Sequence, residues 1–230
     1  MTSANSPYAV QTPAAEAGPE KAGALVSRIT QFLLGQPKPA SYRHLIVRKP
    51  RQPTIIAPRE GKVLPAPVIF EWAGPERLRY GVRVLGSQGR VWEQANLPRR
   101  PLSYPETAPI LRGGAQYTWE LEAKGHPTQR ATFHILTAAE ADRVQEALAL
   151  LQAGVGPGYP PNTAVLLRAG LLYQEGLYHE ARRELLDGIA AAPGEPTLHV
   201  LLGHVYERVG LKELAAETFE EAKVRRTREP

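Results

Sequence analysis

Two stretches near the end of the chain, AGLLYQEGLYHEARREL at 169–185 and GHVYERVGLKELAAETF at 203–219, carry the reading of the fold. Laid over each other with an offset of 34, they match Ala169 with Gly203, Leu172 with Tyr206, Gly176 with Gly210, Ala181 with Ala215 and Leu185 with Phe219. Five small or apolar matches in one register are hard to obtain by chance, and such a period marks a supersecondary unit that stacks on its own copy. Apolar spacing near 3.6 on both sides of each glycine predicts paired antiparallel helices, with the glycine at the tight turn and the small residues where the helices cross. Upstream, Thr137-Ala-Ala-Glu140 is a capping box. Val144, Ala147, Leu148 and Leu151 follow on one face, so a cap helix is expected over 138–153, then a loop from Gly154 to Pro161.

This unit resembles the tetratricopeptide repeat. The second copy is the closer match, with Leu202-Gly203, Tyr206, Gly210, Ala215, Phe219 and Ala222 at the family's spacing. The first has Arg168 and Leu172 at two departures but keeps Gly176, Ala181, Leu185 and Pro193. The resemblance implies repeats at 162–195 and 196–229 inside a helical domain at 138–230. It also implies a protein or peptide partner held on the concave side formed by the first helix of each repeat. The exposed positions there would be Leu166, Gly170, Tyr173 and Gln174, then Thr197, Val200, His204, Glu207 and Arg208.

Ahead of the helices the apolar period is two. Strand-like runs occur at 42–47, 54–56, 68–72, 80–85, 91–95, 117–123 and 131–136. Val68, Phe70 and Trp72 share one face, as do Tyr117, Trp119, Leu121 and Ala123, which leaves Thr118, Glu120 and Glu122 on a solvent face. Gly86-Ser87-Gln88-Gly89 supplies the glycines of a hairpin turn. About seven such strands predict an antiparallel β-sandwich over 42–137. The run LRGGAQYTWELEA at 111–123 is similar to the penultimate strand of fibronectin type III and immunoglobulin-like domains. That resemblance implies a corner role for Tyr117, whose hydroxyl would bond to the preceding loop, and core roles for Trp72, Tyr80, Val82 and Val84. The expected fold class is therefore multidomain, β then α.

The front of the chain reads differently. Ten of the 22 prolines fall in residues 1–67, which points to linker and edge structure. A tail at 1–21 is expected to be disordered, followed over 22–41 by a short amphipathic helix and a linker. Leu25, Ile29, Phe32 and Leu33 form that helix's apolar stripe, suited to the protein's own body, a partner or a membrane interface. YAVQTPAA at 8–15 is similar to a segment of bacterial envelope sensor-regulators of the iron-citrate type, which would make this chain part of a longer exported protein. The compartment is then periplasmic, and otherwise cytoplasmic.

Net charge runs from +5 over 1–53 and +4 over 54–137 to −4 over 138–230. The basic clusters at 48–51, 99–100 and 225–226 are short and lie in different elements, so no nucleic-acid partner is expected. With no cysteine, disulfides and thiolate chemistry are excluded. The six histidines form no metal-binding spacing. Gly154, Gly156 and Gly158 follow a helix rather than a strand, and GSQG is not a nucleophile elbow. No catalytic residue, cofactor, metal or integral membrane segment is expected. The function expected is a protein-interaction or scaffold role, with a homodimer as one way to cover the last helix. The alternative is carbohydrate or envelope binding through sandwich loops, with Trp92 and Tyr104 as the aromatic contacts.

Overall fold

The computed structural model describes residues 19–36, 52–156, 158–160 and 162–227. The expected strand at 42–47, the basic cluster at 48–51 and the segment at 8–15 lie outside them. A helix, α1 (Pro19–Leu34), comes first. It is followed by a β region, β1 (Thr54–Ala57), β2 (Gly61–Val63), β3 (Ile69–Ala73), β4 (Tyr80–Gly86), β5 (Gly89–Leu97), β6 (Leu102–Ser103), β7 (Gln116–Ala123) and β8 (Gln129–Ile135). Five helices complete the chain, α2 (Ala138–Gly154), α3 (Thr163–Gln174), α4 (Tyr178–Ala191), α5 (Pro196–Arg208) and α6 (Lys212–Arg226).

The strands form two sheets, ordered β1-β3-β6 and β2-β8-β7-β4-β5. Alternation along β3, β4, β7 and β8 buries one side of each strand, and the two sheets share a core in which aromatic rings meet across the gap. Phe70 lies 5.0 Å from Trp119 and 6.2 Å from Phe133, and Trp72 lies 5.7 Å from Tyr80. Buried Trp119 donates its Nε1–H to the Pro58 carbonyl at 2.8 Å, which satisfies the indole. The Tyr117 hydroxyl accepts from the Arg112 backbone N–H at 2.8 Å, the bond expected of it.

Two expectations about the sheets are corrected. The larger sheet is mixed rather than wholly antiparallel, because β2 runs parallel to β8. The Gly61-Lys62-Val63 run is too short to show a period, and its pairing comes from tertiary placement. Glu120 does point away from the core, but it is only 3% exposed instead of solvated. Arg83 Nη1 and Arg130 Nε close over its carboxylate, each at 2.7 Å, and long arginine stems cover what a strand pattern counts as open surface.

The chain passes from β8 into α2 with no linker. Thr137 caps the helix, accepting from the Glu140 N–H while Glu140 accepts from the Thr137 N–H at 2.9 Å. The next four helices repeat in space as they do in sequence. α4 and α6 begin 34 residues apart, at Tyr178 and Lys212. Gly176 and Gly210 turn with φ of 78° and 77°, a left-handed conformation that favours glycine, and Leu177 and Leu211 follow with φ, ψ of −86°, 60° and −89°, 62°. In both turns the leucine N–H reaches back five residues, to Leu172 O at 2.9 Å and Tyr206 O at 2.8 Å, the Schellman closure of a helix end.

Within each hairpin a small residue faces a large one. In the second pair the Phe219 ring lies on the backbone of Gly203, leaving no space for a Cβ. The sequence leaves α6 with surplus apolar surface in need of a cover. Ala215, Phe219 and Ala222 are instead already buried, and Val224 alone of that stripe is exposed at 50%.

The helices are bonded to the β region along one strip. Lys62 N–H donates to Gly176 O at 2.8 Å, Leu64 N–H to Glu180 Oε1 at 3.1 Å, Arg59 Nε to Val209 O at 2.7 Å, and Arg182 Nη1 to Glu71 Oε2 at 2.9 Å. Two titratable groups are trapped at this junction. Burial pushes the Glu180 carboxyl up to about 7, against the opposing Leu64 N–H and the Arg183 charge. Burial also pushes His179 down to about 4, despite Glu71, and among the described residues its Nδ1 has no partner.

Two predictions follow from this packing. Gly203→Ala should destabilise the chain by about 1–3 kcal/mol, because the buried Phe219 ring has no room to move. Adding Phe219→Leu, which puts at 203 and 219 the residues that stand 34 positions earlier, Ala169 and Leu185, should recover most of that loss. Urea melts check this, and a neutral Gly203→Ala would contradict the packing. The second concerns pH. Glu180, raised above its usual value, contributes stability below about pH 4.5 that is lost as pH rises through 7. His179, lowered, contributes stability above its usual 6.5 that is lost as pH falls through 4. The slopes oppose between pH 4.5 and 6.5. Glu180→Gln should therefore expose a rise in melting temperature with pH across that window, and gain roughly 3 kcal/mol over the native chain above pH 8, at about 1.4 kcal/mol per pH unit. Parallel profiles for the two proteins would refute the assignment.

Candidate partner-binding face

α3 and α5 are the first helices of the two hairpins, and together with α1 they enclose a cleft of about 340 Å³. Leu166 and Leu167 come from α3, Val200, Leu201 and His204 from α5, and Leu33 and Leu34 from α1. Thr30, Gln36, Thr163 and Thr197 complete the lining, so no Asp, Glu, Lys or Arg faces the cavity. Leu34 is 82% exposed. Such a lining selects apolar, uncharged groups.

His204 is the exception in this wall. It is buried, and its ring stands edge-on to Phe219 with centroids 5.1 Å apart. Burial lowers its pKa, opposed by Glu207, whose carboxylate lies 3.5 Å from Nδ1. The imidazole is therefore neutral at neutral pH, and among the described residues its Nε2 has no hydrogen-bond partner.

The expected contact positions divide into two groups. Leu166, Val200 and His204 meet in the cleft, with Thr197 beside them. Tyr173, Gln174, Glu207 and Arg208 lie towards the far ends of the same helices. There Arg208 Nε donates to the Tyr178 hydroxyl at 3.0 Å, and its guanidinium lies 5.5 Å from that ring's centroid. Tyr173 stands edge-on to Tyr178 at 5.4 Å, and Gln174 is exposed.

Three of the positions expected to be open are covered. His204 is only 4% exposed because α6 packs against it. Gly170 is buried beneath Ile29 and Leu33 of α1, and Tyr173 meets Phe32 at 5.6 Å. The α1 helix takes the first of its expected destinations, the protein's own body; its place as a wall of this cleft is the part sequence reasoning missed. Its seam is Ala22, Val26, Ile29 and Leu33, at i, i+4, i+7 and i+11, which keeps Ile29 and Leu33 of the expected stripe, adds Ala22 and Val26, and leaves Leu25 and Phe32 partly buried at the margin. That seam lies against α2 and α3, so the helix docks on its own chain. The glycines at 154 and 170, each in a helix, were the available signal.

Other candidate sites are less well formed. Trp92 and Tyr104 are edge-to-face at 66°, and Tyr104 is buried with its hydroxyl donating to Pro109 O at 2.7 Å, so the pair offers no flat platform for a sugar ring. Arg99 is paired with Glu76 at 2.6 Å. Among the described residues no group of three His, Asp or Glu is placed to hold a metal ion, and no helix is long and apolar enough to cross a membrane.

No family model and no curated protein matches this chain. Among solved structures, a multi-domain immunophilin from Arabidopsis thaliana is similar over 74% of this chain and 93% of its own, at 11% identity and a TM-score of 0.25. That superposition is too loose to carry fold or function across.

The unpartnered Nε2 generates a prediction. A buried polar atom without a partner costs about 1–3 kcal/mol, so His204→Leu should melt at or above the native temperature. A loss greater than about 2 kcal/mol in thermal melts would show that the imidazole holds the core together instead.

Proposed function

We propose that this chain is a non-catalytic protein-interaction scaffold. In this reading an immunoglobulin or fibronectin III-like β-sandwich, over about 42–137, supports two tetratricopeptide-type hairpins at 162–195 and 196–229, capped by α2. The partner is a protein or peptide segment held on the face shared by α3 and α5. The observation that carries the reading is the charge-free cleft on the first helices of two hairpins that repeat 34 residues apart with matching turn torsions. A cavity of about 340 Å³ accommodates a few aliphatic side chains, so affinity from this cleft alone is modest. The Tyr178 and Arg208 pair supplies a polar edge for the same ligand.

A peptide-display selection against the whole chain tests the proposal. Enriched sequences should be aliphatic and poor in charge, and their binding should fall at least tenfold with Val200→Asp or Leu166→Asp while Trp92→Ala leaves it unchanged. Ligands indifferent to both cleft substitutions, or lost with Trp92→Ala, would overturn the reading in favour of the β region.

A further inference from the structure

We infer that α1 is an exchangeable occupant of the helical face, and that the partner this face fits is an amphipathic helix that displaces it. The inference rests on the reading above and gives the partner its chemistry. Residues 35–53 separate α1 from β1, so chain connectivity does not force the helix onto α2 and α3. Contact does. Ala22, Val26, Ile29 and Leu33 repeat at the spacing of a coiled-coil seam, and Ile29 is fully buried although its helix lies at the edge of the stack.

The receiving surface is shaped for that seam. A Cβ on Gly170 would lie 3.0 Å from Ile29 Cγ2 and 3.1 Å from Leu33 Cδ2, and one on Gly154 would lie 3.2 Å from both Ala22 Cβ and Val26 Cγ2. Glycine is costly inside a helix, and Gly170 lies mid-helix in α3, where it is explained by the Ile29 and Leu33 side chains of α1 passing this close. Side-chain hydrogen bonds of α1 run within the helix, from Thr30 to Val26 O at 2.8 Å and from Gln36 to Phe32 O at 3.3 Å. The seat is thus apolar and specifies shape, not charge.

The seat is also continuous with the open cleft. Leu33 packs over Gly170 on one side and lines the cavity with Leu166 and Val200 on the other. A helix entering the cleft therefore meets α1 edge to edge and gains the whole face by taking its place. Its expected signature is small or aliphatic residues at i, i+4, i+7 and i+11, with no charge on that stripe. The apparent affinity of such a ligand is lowered by the fraction of chains in which α1 is seated.

The experiment uses the whole chain and a labelled synthetic peptide spanning residues 19–36. Ile29→Asp places a charge at the centre of the seam and vacates the seat, so this variant should bind the peptide at least tenfold more tightly than the native chain. Gly170→Leu added to it should abolish binding, because the new side chain fills the groove between Ile29 and Leu33. On the native chain, α1 amides should exchange with solvent at least tenfold faster than those of α5. Equal peptide binding by the native and Ile29→Asp chains, no binding by either, or α1 amides exchanging only with the rest of the fold would each overturn the inference. Display-selected ligands that still depend on Leu166 and Val200 would then leave the groove standing without the exchange. Peptide binding to the vacated seat with no selectable ligand would instead leave the exchange standing without the proposed function.

Discussion

The three residues of β2 hold the molecule together. One edge of this strand pairs with β8, and Lys62 turns its N–H to the carbonyl of Gly176 in the first inter-helix turn. Two residues on, Leu64 donates to the carboxylate of Glu180. The same short piece of backbone thus completes a sheet and docks a helical hairpin. Buried backbone groups must find partners, and here those partners lie in two different kinds of structure. Moving the helices away from the sheets would strand these donors together with the Glu71 and Arg182 pair. The seamless passage from Ile135 through Leu136 into the Thr137 cap fixes the second point of attachment.

Features that depend on neighbours in sequence are legible from the sequence alone. The capping box, the β4–β5 turn and the inter-helix turns at Gly176 and Gly210 are written in local patterns, and all three occur. The 34-residue offset was legible because a repeat is compared with itself. Features set by distant residues were hidden. β2 carries no period in three residues and exists because β8 and Gly176 lie on either side of it. Glu120 has the pattern of a solvent-facing residue, and only the reach of Arg83 from one neighbouring strand and Arg130 from the other covers it. Of the expected α1 stripe, Ile29 and Leu33 lie in the buried seam and Leu25 and Phe32 at its margins, while Ala22 and Val26 go unnoticed because they are smaller than the residues that dominate a search for apolar positions. What decides the buried face is the space over the two glycines: Ala22 and Val26 lie against Gly154, and Ile29 and Leu33 lie against Gly170.

The candidate site follows the same division. Its floor, Leu166 and Val200, was legible from the repeat, whereas its wall comes from a helix more than 130 residues earlier in the sequence. The face is consequently a composite, part repeat and part α1, and within its apolar lining the Nε2 of His204 has no partner among the described residues. Such a group lowers stability where it stands, which sets it apart from the well-packed leucines around it.

The strip that anchors the helices also fixes their pitch. Arg59 holds the turn of the second hairpin through Val209 O, and Lys62 holds the turn of the first through Gly176 O. Consecutive hairpins of a free helical stack slide and rotate against each other like the coils of a spring. Here their turns are tied to points three residues apart, Arg59 just before β2 and Lys62 within it, and this short segment acts as a ruler. A ligand cannot be accommodated by stretching or winding this stack, and adjustment is left to side chains and to α1, which the ruler does not hold.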